Sequence, residues 1–280
     1  MKFAIQMFPT DYAIPVTELG KACEDLGFES LFFPEHTHIP TSRRTPWPGG
    51  APLPMEYSHT LDPFVAMTAV AAVTKTLLVG TGVCLVMQRD PITLAKEVAS
   101  VDFLSGGRVL FGIGGGWNED EMENHGTKPS LRWKILRERI LAMKQIWTND
   151  EAEYHGQFVD FDPIWSWPKP VSKPHPPILI GGAGPRTLER VIEYGDGWMP
   201  IGGRSGAILG AKVQELQEMA KAAGRGPVPV SVFGAGPGQE AIEGYAGMGV
   251  ERVIFGLRSE PAEGALAALK QYAAVARRFS

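Results

Sequence analysis

Eight predicted strands alternate with eight predicted helices along the 280-residue chain, and this order predicts an α/β fold, a (β/α)8 TIM barrel. The strands are short apolar runs without polar alternation, as at residues 77–83 and 108–113, which is typical of parallel strands buried on both faces. Glycines follow most of these runs and allow a backbone to approach a ligand closely. An open, doubly wound sheet of eight strands is the alternative architecture.

The predicted elements follow one another along the whole chain, so residues 1–280 are interpreted as a single domain. The helix predicted over 261–278 illustrates the pattern, since Leu266, Leu269 and Ala273 recur at helical spacing. Pro91 lies where the first turn of a helix accepts a proline. The predicted strands cover residues 3–7, 30–34, 77–83, 108–113, 177–181, 197–201, 228–233 and 252–257. The predicted helices cover residues 15–26, 62–74, 91–104, 130–148, 185–194, 205–223, 238–248 and 261–278.

Two long insertions interrupt this rhythm, one after the second predicted strand and one before the fifth. Residues 37–60 are rich in proline, and residues 149–176 carry Trp165 and Trp167. Connections of this length are commonly lids or binding loops, although they can also cover a barrel end or contact another subunit. The first insertion leaves the carboxyl end of a strand and is therefore the better candidate for a lid.

Composition argues against several classes of function. A net charge of −4 and a pI near 5.9 give no basic surface for nucleic acid or for an anionic membrane. No apolar stretch is long enough to span a bilayer, and Met1-Lys2 leads directly into an apolar strand without room for a signal peptide. Cys23 and Cys84 have no metal-binding or redox spacing, so we expect a reducing, cytoplasmic environment.

Glycine dominates the predicted carboxyl ends of the strands, where the active sites of such barrels lie. A mouth with many glycines and few charges suits a large planar ligand that carries a phosphate. The turn Gly-Gly-Ala-Gly-Pro-Arg at 181–186 is the candidate phosphate site, because a strand passes through glycines into a helix N-terminus and Arg186 adds a positive charge. A tight turn without a ligand is the alternative reading of this motif.

Glu35 and His36 are the candidate catalytic residues. His36 follows the second strand and can transfer a proton near neutral pH, with Glu35 orienting it or shifting its pKa. A structural histidine is the alternative. A metal site would need further ligands, and the other strand ends offer no His, Cys or Asp, so no metal is predicted. Cys84 is interpreted as a buried, apolar side chain and not as a nucleophile.

Several motifs taken together resemble the luciferase-like flavin or deazaflavin oxidoreductases, mainly over residues 1–201. They are Arg-Asp-Pro-Ile at 89–92, Ala-Lys-Glu-Val at 95–98, Asp102, Leu-Ser-Gly-Gly-Arg at 104–108 and Gly-Ile-Gly-Gly-Gly-Trp at 112–117. Pro-Glu-His at 34–36, Pro-Ile-Leu-Ile-Gly-Gly at 177–182 and Gly-Asp-Gly-Trp at 195–198 extend the match.

The resemblance implies a barrel whose cofactor ring lies in the mouth against a bulge after the third strand, with a cis peptide expected at Gly82–Val83. It favours the branch that uses coenzyme F420, with FMN as the alternative cofactor, and it implies a homodimer. His36 matches the residue that handles the proton in a sugar-phosphate dehydrogenase of the family. Trp117 stands near the position of that enzyme's catalytic glutamate, which implies a less polar substrate. The candidate cofactor-binding residues are Thr81, Gly82, Val83, Gly114, Gly115, Asn118, Gly181, Gly182, Ala183, Gly184 and Arg186.

The leading hypothesis is therefore an F420-dependent oxidoreductase that transfers a hydride to or from a small, fairly apolar organic molecule. An FMN-dependent monooxygenase is the second hypothesis. A cofactor-binding protein without turnover is the third, because titratable groups are few at the strand ends. A metal-dependent hydrolase comes last.

Overall fold

A computed structural model describes residues 1–50, 52–203 and 206–279, and its elements agree closely with the predicted order. The strands are β1 (Lys2–Gln6), β2 (Ser30–Phe33), β3 (Leu78–Thr81), β4 (Val109–Ile113), β5 (Glu151–His155), β6 (Asp160–Trp165), β7 (Ile178–Gly181), β8 (Gly197–Met199), β9 (Ser231–Ala235) and β10 (Arg252–Gly256). The helices are α1 (Val16–Asp25), α2 (Glu56–His59), α3 (Pro63–Val73), α4 (Pro91–Ser105), α5 (Glu119–Asn124), α6 (Arg132–Thr148), α7 (Thr187–Tyr194), α8 (Gly206–Ala222), α9 (Gln239–Gly247) and α10 (Ala262–Ala276). The predicted helix over 205–223 begins at residue 205, which lies outside the described residues.

Eight parallel strands form one sheet in the order β8-β7-β4-β3-β2-β1-β10-β9. Single bridges join Trp198 to Val230 and Ile201 to Phe233, so the two outer strands of that order meet and the sheet curls into a barrel. The prediction of a (β/α)8 barrel is thus confirmed over the open sheet. Because all eight strands run the same way, their carboxyl ends meet at one end of the barrel, here called the mouth, and their amino ends meet at the other, here called the base.

Two apolar layers hold the barrel together. Six buried side chains from alternate strand positions fill its interior, and a larger set packs between the strands and the surrounding helices. Helix starts follow from local chemistry, since Asp62 and Asp90 accept backbone N–H groups of the first turns and proline follows each of them. The interior cluster consists of Ala4, Phe32, Leu110, Leu179, Met199 and Ile254.

The two insertions lie at opposite ends of the barrel. Residues 37–60 leave β2 at the mouth and contain α2. Residues 149–176 follow α6 and precede β7, and they include an antiparallel hairpin of β5 and β6 at the base. Sequence analysis missed this hairpin, although Glu151–His155 alternates exposed and buried side chains as a half-solvated strand does.

Within the described part of the chain, no helix combines the length and the apolar character that crossing a membrane would require.

Candidate active site

A cavity of about 420 Å³ opens at the mouth of the barrel. Its walls come from the ends of seven strands and from the insertion after β2, so the sequence assembles it from distant segments. Aromatic and aliphatic side chains form most of the walls, and glycines form much of the floor. The lining residues are Gln6, Phe8, Pro34, Glu35, His36, Tyr57, Gly82, Val83, Leu85, Gly114, Gly115, Gly116, Trp117, Trp133, Gly181, Gly182, Met199, Ile201 and Phe233.

The floor is built around Val83. The peptide bond between Gly82 and Val83 is cis, as predicted. A Cβ atom on Gly114 would lie 2.6 Å from Val83 Cγ2, and one on Gly181 would lie 2.8 Å from Val83 Cγ1. These two glycines therefore make room for a neighbouring side chain. Because these glycines lack a side chain, the strand ends pack closely around Val83 and the cavity stays open.

His36 is the imidazole of this cavity, and it is 9% exposed. Its Nδ1 atom lies 2.6 Å from a carboxylate oxygen of Glu121, and the indole N–H of Trp117 donates to its Nε2 atom at 3.3 Å. The Tyr57 ring packs against it with the ring centroids 5.2 Å apart. The ring is thus held on three sides by groups from other segments.

Glu121, on α5, is the partner of His36 that sequence analysis missed. It is fully buried, and its second carboxylate oxygen accepts the backbone N–H of Thr37 at 3.0 Å. Thr37 in turn contacts His125 through its hydroxyl group at 2.7 Å. The acidic run Glu119–Glu121 reads in sequence as the solvated first turn of a helix, and only the fold brings one of these carboxylates to His36.

Glu35 does not orient His36, and this expectation is corrected by its hydrogen bonds. One carboxylate oxygen accepts the backbone N–H of Leu85 at 2.5 Å, and the other accepts Nε of Arg89 at 2.5 Å. Burial and then the nearby Glu35 carboxylate raise the pKa of the Cys84 thiol well above its usual value. Cys84 is therefore a buried, protonated side chain, as predicted, and Glu35 links the end of β2 to the segment after β3.

The rim of the cavity is held by Asp120, the neighbour of Glu121. Its carboxylate accepts the Ser42 hydroxyl at 2.7 Å, the backbone N–H of Arg44 at 2.9 Å and the Thr45 hydroxyl at 2.9 Å. These bonds, led by that from Ser42, lower the pKa of Asp120 and keep it ionised. Arg43, between the anchored residues, has a left-handed φ of 49° and places its guanidinium carbon 5.8 Å from the centre of the Trp117 ring.

The predicted phosphate turn lies beside the cavity, but only its first two glycines line it, and Arg186 does not. Gly182 has a φ of 95°, a conformation that favours glycine, and its carbonyl accepts the indole N–H of Trp198 at 2.8 Å. Arg186 is exposed and pairs with Glu189. Helix α7 begins at Thr187, so Pro185 lies before the helix, whereas the predicted helix began at residue 185.

The structure brings eight of the thirteen predicted site residues to the cavity: Glu35, His36, Gly82, Val83, Gly114, Gly115, Gly181 and Gly182. Ala183, Gly184 and Arg186 continue the turn outside the lining. Thr81 donates its hydroxyl to the Gly112 carbonyl at 2.6 Å, and Asn118 is 1% exposed behind the wall. The walls missed in sequence include Gln6, Phe8, Tyr57, Trp133, Met199, Ile201 and Phe233.

The shape and polarity of the cavity fit a flat heterocycle. Its walls are mostly apolar, and the amide oxygen of Gln6 on its floor is buried without a hydrogen-bond partner among the described residues. Such an oxygen can accept an N–H from the polar edge of a flavin or deazaflavin ring. In the described ranges, no group of three or more His, Cys, Asp and Glu side chains is arranged to hold a metal ion.

Comparison with known sequences gives relatives that cover nearly the whole chain and others that cover about half to two thirds of it. A protein of Mycobacterium tuberculosis without an assigned function is 39% identical over 279 residues, covering 98% of both chains. An F420-dependent hydroxymycolic acid dehydrogenase of the same organism is 27% identical over 64% of this chain and 47% of its own. An FMNH2-dependent dimethylsulfone monooxygenase of Pseudomonas putida is 33% identical over 49% of this chain and 38% of its own.

Comparison with solved structures supports the fold. The monooxygenase RslO1 of Streptomyces bottropensis superposes with a TM-score of 0.83 at 20% identity, with 100% of both chains covered. An F420-dependent secondary alcohol dehydrogenase superposes with a TM-score of 0.78 at 18% identity, with 98% of both chains covered. The sequence model of the luciferase-like monooxygenases matches residues 9–239. Together with the barrel and its mouth cavity, this match establishes that the chain belongs to the luciferase-like monooxygenase family.

Proposed function

We propose that this protein is an F420-dependent oxidoreductase that transfers a hydride between the deazaflavin and a small, fairly apolar organic substrate. The observation that carries the proposal is the isolation of His36 in an otherwise apolar cavity. The carboxylate of the lining, Glu35, is bonded to Leu85 and Arg89, and burial raises the pKa of the Tyr57 phenol, which therefore stays protonated near neutral pH. One group that can exchange a proton, placed beside a flat apolar space, is what a hydride transfer to or from a carbonyl carbon requires of the protein.

When bound, the deazaflavin supplies a hydride acceptor or donor and no proton to the substrate oxygen. His36 would therefore accept the hydroxyl proton in the oxidative direction and return it in the reductive direction. Trp117 and Tyr57 hold the imidazole at the cavity wall. Gly82 and Val83 would support the ring from below, and Gln6 would bind its polar edge.

The walls favour a substrate with an apolar body. Phe8, Trp117, Trp133 and Phe233 present aromatic surface to the cavity, and Leu85, Met199 and Ile201 add aliphatic surface. Such walls exclude water and offer few hydrogen bonds, so a sugar phosphate would leave its polar groups unpaired. A secondary alcohol or ketone with an alkyl or aryl substituent satisfies this surface.

An FMN-dependent monooxygenase is the second candidate. The family name and the dimethylsulfone monooxygenase among the relatives favour it, and the same apolar cavity would protect an oxygen adduct from water. The hydroxymycolic acid dehydrogenase among the relatives favours F420. The two candidates differ in the cofactor that binds and in the requirement for oxygen.

Fluorescence titration with each cofactor tests the proposal. Because Trp117 and Trp133 line the cavity, binding there should quench tryptophan emission. We expect saturable quenching by F420, oxidised or reduced, at concentrations at least tenfold lower than for FMN. Anaerobic mixing with secondary alcohols should then bleach the F420 absorbance. Tight FMN binding without a response to F420, together with oxygen consumption, would favour the monooxygenase instead.

A further inference from the structure

We infer that Glu121 is a positioning residue that fixes the tautomer of His36, so that Nε2 is the basic atom of the cavity. Its effect on turnover rests on the proposed function, whereas its effect on the imidazole can be observed without any cofactor. Glu121 lies on α5, outside the segments that carry the family resemblance. It contacts His36 although 85 residues separate the two in sequence.

The tautomer follows from the two hydrogen bonds of the ring. The indole nitrogen of Trp117 can only donate, so the Nε2 atom that receives its N–H at 3.3 Å must be the unprotonated nitrogen. A neutral imidazole then carries its proton on Nδ1 and donates it to Glu121 Oε2, 2.6 Å away. The short distance to an acceptor-only group agrees with this assignment.

The orientation of Glu121 is fixed independently of His36. Its Oε1 atom accepts the backbone N–H of Thr37 at 3.0 Å, with the Thr37 hydroxyl at 3.5 Å. Because the backbone N–H of Thr37 can only donate, the side-chain atom of residue 121 that faces it must be an oxygen that accepts. Glu121 is fully buried, so its two oxygens are shielded from bulk solvent. The carboxylate thus presents an acceptor to both neighbours at once.

This arrangement gives Nε2 a defined role in proton transfer. A substrate hydroxyl that displaces the Trp117 N–H can pass its proton to the lone pair of Nε2, and His36 becomes an imidazolium. The Nδ1 proton stays on the ring, and the Glu121 carboxylate stabilises the positive charge beside it. In the reverse direction Nε2 returns the proton to the substrate oxygen, and the ring regains the neutral tautomer.

Glu121→Gln is the decisive substitution because it forces the opposite tautomer. The Thr37 N–H requires the amide oxygen of the new side chain, so the amide NH2 must face Nδ1. Nδ1 would then become the acceptor, and Nε2 would carry the proton and lose the bond from Trp117. Nitrogen-15 NMR of ligand-free protein labelled at its six histidines should show His36 protonated at Nδ1 in the wild type and at Nε2 in E121Q.

Turnover should change with the tautomer and cofactor binding should not. We expect kcat with F420 to fall between about 100-fold and 10,000-fold in E121Q, with the Kd for F420 within about threefold of the wild-type value. Glu121→Asp keeps an acceptor-only group and should recover Nδ1 protonation and part of the turnover. Glu119→Gln on the same helix is the matched control, since Glu119 is exposed, pairs with Arg132 and should leave both readouts unchanged.

The outcomes separate this inference from the proposed function. If E121Q inverts the tautomer while the wild type shows no F420 turnover, the inference stands and the proposed reaction falls. If the wild-type His36 is already protonated at Nε2, the inference is overturned, whether or not E121Q folds. Retention of the Nδ1 proton in folded E121Q would overturn it as well.

Discussion

The base and the mouth of the barrel use their polar side chains in different ways. At the base, Arg108 donates to the carbonyls of Ala71, Thr74, Leu77 and Ser105, and Glu24 accepts the N–H groups of residues 75–77. At the mouth, buried polar atoms of Gln6 and Asn118 lack partners among the described residues. Arg108 and Glu24 at the base therefore close the backbone of the fold, whereas Gln6 at the mouth keeps an amide oxygen that can accept a hydrogen bond from a ligand.

The two insertions repeat this contrast. Asp120 anchors the insertion at the mouth over the cavity, and Tyr57 of that insertion contacts His36. The insertion at the base forms its own hairpin, and its Trp165 and Trp167 are 80% and 57% exposed and do not line the cavity. Whether a long connection reaches the cavity thus depends on the end of the barrel at which it is inserted. Its content of aromatic residues does not determine its position.

The largest expected effect is that of a mouth substitution on turnover. His36→Asn keeps an amide donor for Glu121 but removes the nitrogen that faces the cavity. We expect kcat with F420 to fall about 100- to 10,000-fold, while the free energy of unfolding changes by less than about 1.5 kcal/mol. Steady-state assays and urea denaturation measure the two quantities. Unchanged kcat would contradict the assignment of proton transfer to His36, whereas absence of turnover in the wild type would favour a cofactor-binding protein without turnover.

A base substitution should give the reverse pattern. Arg108→Met removes a guanidinium that closes several backbone carbonyls between α3, α4 and β3. We expect a loss of about 2–4 kcal/mol in the free energy of unfolding, and an unchanged kcat for the molecules that remain folded. Urea denaturation and active-site-normalised assays decide this. A selective loss of kcat without a loss of stability would break the comparison of the two ends.

A smaller effect at the base should depend on pH. Burial opposes ionisation of Glu24, but hydrogen bonds from residues 75–77 outweigh it and lower its pKa to about 2. The stabilisation from the ionised carboxylate is fully present above its usual pKa and is lost as pH falls towards about 2. The wild type should thus exceed Glu24→Gln in unfolding free energy at pH 7, and the gap should narrow between pH 4.5 and pH 3. A gap that stays constant over this range would refute the assignment.

The smallest effect is expected in the hairpin at the base. Trp165→Ser removes an exposed indole that donates to Glu151 and does not line the cavity. We expect changes below about 0.5 kcal/mol in stability and no change in the Kd for F420. Trp117→Phe at the mouth is the paired variant, and its cofactor-dependent fluorescence change should be smaller than that of the wild type.

Periodicity and glycine position were enough to predict the barrel, because each parallel strand carries its own apolar run and each helix its own spacing. The eight barrel strands were placed within a few residues of their observed bounds. The partner of His36 could not be predicted in this way, since Glu121 is separated from it by 85 residues and belongs to a run of acids that resembles a solvated turn. Glu35 was chosen because it is adjacent in sequence, but its side chain bonds the segment after β3.

Amide hydrogen exchange with and without saturating F420 tests most directly whether the mouth is the ligand site. Ligand binding at the mouth predicts slower exchange at residues 82–85, 114–117 and 181–182, which border the cavity, and unchanged exchange at residues 149–176 of the base insertion. Protection confined to the base, or an unaltered mouth at a concentration of F420 that quenches tryptophan emission, would contradict it.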